Sequence, residues 1–283
     1  MRTLRRVGGL IGVLALAVGA SACVKSEAPA TSSDGLSLVK AGTLTVCTHL
    51  PFAPFQERNT AGKIEGFDVD LMDLVAKKLN LTQEIIDTPF EGIKSGQDLK
   101  TRKCDVAAAG MTITKVRQKV MDFSVPYFDN TQSLLVKAGS PYKTLADFKG
   151  KKIGGETATT GLQYARDNAA KYGYEVVEYQ DTTSMQQAIA TGQAQGGMED
   201  LPIWTVLVEK EKGFSIAAKF PTNEQYGYAV GKGMNPKLLS TINDVISTSL
   251  KDGSYAKLYT KWMHLTPPNP LVTQGQTPPE GSA

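Results

Sequence analysis

The residues most able to do chemistry sit together between Cys104 and Asp122, in CDVAAAGMTITKVRQKVMD. A small, apolar run from Asp105 to Ala109 ends at Gly110. It is too short for a helix and reads as a buried strand whose end lets another group come close. Thr112 follows, Thr114 stands at a helix N-cap position, and Lys115 to Asp122 reads as a polar helix with Arg117 one turn in. A strand end, a glycine, a hydroxyl, fresh helix N–H groups and a guanidinium together make a pocket for a carboxylate-sized anion. The competing reading is a strand, a turn and a helix with a solvated arginine, because most arginines lie at the surface. Other chemistries lack their residues. His49 and His264 are far apart with no cysteine pair beside them, so metal-ligand spacing is absent. No Gly-rich phosphate loop, nucleophile elbow or HExxH motif occurs, and neither metal nor cofactor is expected.

The elements that must position this stretch alternate. Leu44 to Thr48 reads as a strand running into His49-Leu-Pro-Phe-Ala-Pro-Phe, where two prolines hold Phe52 and Phe55 in a stiff loop. Gly66 to Leu79 reads as a helix with Phe67, Leu71, Leu74, Val75 and Leu79 on one face, acidic at its start and lysine-bearing at its end. Gln83 to Asp87 is a second strand with Phe90 just beyond it, and Ile93 to Arg102 a helix. Strand, helix, strand, helix, strand implies parallel pairing with right-handed crossovers, and ligands of such sheets sit at the strand carboxyl ends. His49, Phe52, Phe90 and Gly110 to Arg117 all occupy such ends. From Lys151 a second series repeats the pattern, with a strand in KKIGGE, a helix opening at Ala158-Thr-Thr-Gly and a strand ending at Glu199-Asp200. The expected fold is α/β: a two-lobed clamp, each lobe a mainly parallel sheet flanked by helices, with two extended hinge crossovers near Ser133 and Tyr228. Residues 36–131 and 228–265 would form the first lobe and 132–227 the second.

The ends have a different character. Arg2, Arg5 and Arg6 precede an apolar run from Val7 to Ala20, then Ser21-Ala22-Cys23, the pattern of a secretory signal over residues 1–22. A cysteine directly after Ala-Ser-Ala resembles a bacterial lipobox, in which Cys23 would be acylated. Residues 23–35 read as a flexible tether, and the proline-rich residues 266–283 as a disordered tail. A net charge of +3 over 283 residues, without a basic stripe, argues against nucleic acid.

GFDVDLMDLVAKKL, CDVAAAGMTITKVRQKVMDFSVPYF, ADFKGKKIG, YGYAVGKG and DGSYAKLYTKW resemble the type 3 extracellular solute-binding proteins of ABC amino-acid importers, which share the periplasmic-binding-protein-like II fold. The resemblance implies a monomeric, lipid-anchored receptor outside the cell membrane. It would bind a free amino acid, here a polar one, and serve ABC permease and ATPase partners. Carried over by position, Arg117 would clamp the ligand α-carboxylate, with Gly110, Thr112, Thr159 and Thr160 completing that site. Asp200 would receive the α-ammonium group, or else merely cap a helix. Phe52 and Phe90 would flank the side chain and His49 would face it, where members of the family often carry an acid. Glu199 reads as solvated. Family strand order sets the first strand beside the third with Cys47 and Cys104 offset, so two buried free thiols are expected. Two alternatives share the fold: a dehydratase of amino-acid precursors using Glu91, Glu199 or Asp200, and a sensor subunit for a signalling partner.

Overall fold

The computed structural model describes residues 30–31 and 35–281. The signal sequence, Cys23 and most of the tether lie outside the described residues. The strands of the two large sheets are, in chain order, β1 (Thr43–Thr48), β2 (Thr82–Asp87), β3 (Val106–Ala107), β4 (Met121–Phe123), β5 (Phe128–Lys137), β6 (Lys152–Glu156), β7 (Glu175–Tyr179), β8 (Gly196–Asp200), β9 (Phe214–Tyr226) and β10 (Ala229–Gly231). The helices are α1 (Phe67–Lys78), α2 (Phe90–Lys94), α3 (Gln97–Lys100), α4 (Lys115–Gln118), α5 (Thr160–Tyr172), α6 (Thr182–Thr191), α7 (Leu201–Lys210), α8 (Pro236–Asp252) and α9 (Ser254–Met263).

The sheets run β2-β1-β3-β10-β4 and β7-β6-β8-β5-β9. In each, three neighbouring strands pair in parallel and the last two pairings are antiparallel, so that one strand, β10 or β5, runs against the other four. Two lobes result, because the chain passes from the first sheet to the second between β4 and β5 and returns between β9 and β10. These crossings are bonded to each other: Ser124 N donates to Tyr228 O (2.8 Å), Tyr127 N donates to Tyr226 O (3.0 Å), and the Tyr127 and Tyr228 rings stack at 4.1 Å. The outward crossing lies at residues 124–127 rather than near Ser133, which is buried inside β5. The strand starts early because Phe128 to Asn130 already pair with Tyr226 to Glu224.

Local sequence explains the elements. Helix α1 buries Phe67, Leu71, Met72 and Val75, and carries Asp68 and Asp70 in its first turn and Lys77 and Lys78 in its last, which suits the helix dipole. Its entry demands Gly66, at φ +148°, because a Cβ there would lie 2.0 Å from Phe55 O. Two expected helices are shorter than the periodicity indicated. Gly96, at φ +72°, divides the 93–102 segment into α2 and α3. Helix α4 stops at Gln118 because Met121 is buried in the sheet opposite Gly231.

Two larger corrections concern covalent and terminal structure. Cys47 and Cys104 form a disulfide, with Cα atoms 5.6 Å apart, and are not free thiols. The register pairs Cys47 with Ala107, so an extended chain would have carried Cys104 out of reach. The chain instead bends at Asp105, whose N donates to Thr45 O (2.9 Å) while Asp105 Oδ2 accepts from Thr45 N (2.8 Å), and Cys104 folds back over β1. The proline-rich tail is not loose either, over residues 266–281. Val272 is buried, and Thr273 donates from N (2.8 Å) and Oγ1 to Asp129 at the start of β5. Further on, Pro279 O and Glu280 O accept from Lys115 N (2.9 Å) and Val116 N (3.0 Å), the first amides of α4. Helix starts leave such donors unfilled, and a proline-rich segment supplies acceptors without competing donors.

Candidate functional site: a cleft between the lobes

The nine site residues expected from the sequence all line one cleft. His49, Phe52, Phe90, Gly110, Thr112 and Arg117 come from the first lobe, and Thr159, Thr160 and Asp200 from the second; Gln56, Glu156 and Glu199 join them. The residues stand where sheet strands end, so the site is assembled at the ends of β1, β2, β3, β6 and β8 and the segments that follow them.

Arg117 is the charge at its centre. Thr114 caps α4, its Oγ1 accepting from Arg117 N (3.1 Å), and this fixes where the side chain leaves the helix. Arg117 is 4% exposed, which removes the solvated reading. Arg117 Nη1 donates to Thr112 O (2.8 Å), Nη2 donates across the lobes to Ala158 O (3.0 Å), and the group lies 5.3 Å from the centroid of Phe90. Its partners are neutral, and among the described residues no carboxylate lies in ion-pair range of it. Burial pulls its pKa down to about 10, against the nearby charges of Glu224 and Asp200, so it remains a cation at neutral pH. A buried cation with carbonyls alone around it is set up to receive an anion.

Facing it, Asp200 ends β8. The helix-cap alternative fails, since its side chain makes no capping bond to α7. Asp200 Oδ1 instead accepts from Asn130 Nδ2 (2.6 Å) and Gln132 Nε2, and Oδ2 accepts from Tyr226 OH. Burial, and then the nearby Glu224 carboxylate, push its pKa up to about 7. Glu224 was invisible to sequence reasoning. It lies in β9 at a register irregularity after Phe220, and its Oε2 accepts from Thr160 Oγ1 (2.9 Å), Gln132 Nε2 (2.9 Å), Thr112 Oγ1 (3.2 Å) and Asn130 Nδ2 (3.2 Å). It therefore holds a hydroxyl from each lobe. Thr159 is spent on the helix itself, its Oγ1 accepting from Leu162 N (3.0 Å) and donating to Glu156 O (2.7 Å).

His49 Nδ1 lies 3.1 Å from Thr88 O, which makes that nitrogen the donor, and Nε2 faces Glu156 Oε1 across the lobes at 3.4 Å. Burial alone would lower its pKa, but Glu156 outweighs this and the net shift is upward. Glu199, expected in solvent, is fully buried beside Asp200, whose N donates to Glu199 Oε1 (2.9 Å). Burial and the neighbouring Asp200 and Glu156 raise its pKa far above the usual range. Behind the cleft, burial lifts Asp68 to about 6.

These shifts share a sign. A group whose pKa is higher in the folded chain than in the unfolded one stabilises the fold at low pH, and that stabilisation is lost as pH rises through the folded value. Asp68, Asp200, Glu199 and His49 all qualify, whereas the lowered carboxylates Asp122 and Glu178 are largely in solvent. The ligand-free protein should unfold at a higher temperature at pH 5 than at pH 8, as scanning calorimetry would show; a rise toward pH 8 would contradict these assignments.

Gly110 is a close-approach residue. Its φ is +55°, a Cβ would meet the Phe52 ring at 2.6 Å, and its N donates to Asp68 Oδ2 (2.8 Å). Gly110→Ala should therefore displace Phe52 and destabilise the protein by about 1–3 kcal/mol, measurable by urea unfolding.

Residues 44–265 match the sequence profile of the bacterial extracellular solute-binding proteins, family 3. The chain belongs to this family. Among individual solute-binding proteins, it is 32% identical over 258 residues to an L-cystine-binding protein of Escherichia coli (strain K12), covering 89% of this chain and 94% of that one. It is 32% identical over 212 residues to an ABC transporter glutamine-binding protein of Bacillus subtilis (strain 168), covering 74% and 76%. A solved ancestral arginine-binding protein, bound to arginine, superposes with a TM-score of 0.73 at 38% identity over 78% of this chain and 98% of that one. All three are named as binding proteins and none as an enzyme. The two-lobed clamp is thus the family fold.

Proposed function

We propose that this solute-binding protein captures a free amino acid between its lobes outside the cell membrane and delivers it to an ABC importer. The observation that carries this reading is Arg117, a buried cation without a carboxylate partner, facing Asp200 across the cleft. A free amino acid holds its two α-charges one carbon apart. Arg117 belongs to the first lobe and Asp200 with Thr160 to the second, so one zwitterion can engage both only when the lobes are closed. Contacts available in one conformation alone shift the population toward it. The cystine, glutamine and arginine ligands of the relatives support an amino acid here. Acylation of Cys23 would keep the receptor beside its permease and ATPase; that part rests on the sequence alone.

A thermal-shift screen of the common amino acids tests the reading, since a ligand present at 100 times its Kd adds about 2.7 kcal/mol of stability. At least one should raise the unfolding temperature, and Asp200→Ala should weaken its binding in calorimetry by tenfold or more. A flat screen would sink the proposal.

A further inference from the structure

We propose that the end of the cleft between Glu156 and Glu199 is a subsite for a cationic side chain, a guanidinium or a primary ammonium, so that the ligand is a basic amino acid. This rests on the amino-acid reading above and adds the side chain to it.

The two glutamates stand side by side. Strands β6 and β8 are parallel with Gly155 opposite Met198, so the next step of the register sets Glu156 beside Glu199 on the same face of the sheet. Both reach the cleft at the carboxyl ends of their strands, and they are 2% and 0% exposed. Each has one oxygen occupied by the protein and one left over. Glu156 Oε1 faces His49 and Glu199 Oε1 accepts from Asp200 N, while Oε2 of each is buried and, among the described residues, without a hydrogen-bond partner. Gln56 Oε1, on the same lining, is a third such acceptor. Buried acceptors without donors are costly, and three converging on one cleft ask for a ligand rich in N–H groups.

Charge narrows the class. Among the described residues, the basic groups on the lining are Arg117, committed to the carbonyls of Thr112 and Ala158, and His49, which faces one oxygen of Glu156. An acidic side chain would meet two carboxylates. A neutral amide supplies a pair of donors without charge. A guanidinium or ammonium supplies both donors and charge, and the rings of Phe52 and Phe90 give its methylene stem apolar walls. Facing Glu199 are Asp200, Glu156 and Glu224, all acidic, and its burial favours the protonated form in the ligand-free protein. An arriving cation reverses that preference, so binding should release protons.

Arginine and citrulline differ little in shape but citrulline is uncharged, and they are the probes. In calorimetry at pH 7 the protein should bind arginine at least tenfold more tightly than citrulline. Glu156→Gln and Glu199→Gln should each shrink that ratio severalfold, and titrations in buffers of different ionisation enthalpy should show net proton release with arginine only. Citrulline or glutamine binding as tightly as arginine, with Arg117→Met abolishing all three, would overturn the cationic subsite and leave the amino-acid receptor standing. An arginine preference untouched by both glutamine variants would overturn it as well. If no amino acid binds, both readings fall together. Should Glu199→Gln fail to fold by circular dichroism, Glu156→Gln and the proton count carry the test.

Discussion

Replacing Arg117 with methionine should abolish amino-acid binding while making the ligand-free protein more stable. The two effects have one cause. The guanidinium is buried against two carbonyl oxygens and a ring, and the charges of Glu224 and Asp200, outside ion-pair range, only partly offset the desolvation of its charge. Replacing buried ionic groups by apolar side chains of similar volume is often neutral or stabilising by about 1–4 kcal/mol. The same change removes the group that would hold the ligand carboxylate, and losing one partner of a buried, hydrogen-bonded charge pair costs about 2–5 kcal/mol, or roughly 30-fold to several thousand-fold in Kd. Calorimetry should register the lost binding, and thermal melts without ligand a raised midpoint. A variant that melts lower and still binds would show that Arg117 serves the fold and not the ligand.

Reducing the Cys47–Cys104 bridge should have the largest effect on stability. The bridge spans 57 residues, and closing a loop of that length restricts the unfolded chain enough to be worth about 4 kcal/mol on the chain-entropy account. It ties β1 to the bend just before β3, its neighbour at the centre of the first sheet, beneath the strand ends that lead to His49 and Gly110. A Cys47→Ala/Cys104→Ala pair should lower the urea midpoint accordingly, and so should a reductant on the unaltered protein. Equal midpoints with and without reductant would show that the bridge contributes nothing.

Much of the site was legible because its chemistry is local. Gly110, Thr112, Thr114 and Arg117 fall within one turn and one helix start, so residue type and spacing offered an anion pocket beside a solvated arginine, and the burial of Arg117 removed the second. Residues that depend on distant pairing were not legible. Glu224 sits in a strand whose irregular register brings it under Thr112 and Thr160, and nothing in Asn223-Glu224-Gln225 announces this. Glu199 looked like a solvent-side neighbour of Asp200; at the end of a strand running into the cleft, consecutive residues can both face inward. The disulfide was not legible because an extended chain would set Cys104 several residues away from Cys47, whereas the side chain of Asp105 bends the chain there. The tail's composition spoke for disorder, but its carbonyls found the amides of α4, a long-range complementarity that composition does not encode.

Glu224 also changes what the affinity of this receptor measures. Its carboxylate already occupies the hydroxyls of Thr112 and Thr160, as a tethered surrogate for the ligand's own. In the binding mode proposed above, an amino acid docking there would exchange one carboxylate for another, and the heat it gave out would be the difference between the two. Its new attraction would come from Arg117 and from what the side chain finds. Affinity is then tuned by how readily the surrogate yields, a quantity set in the hinge strand and not in the ligand.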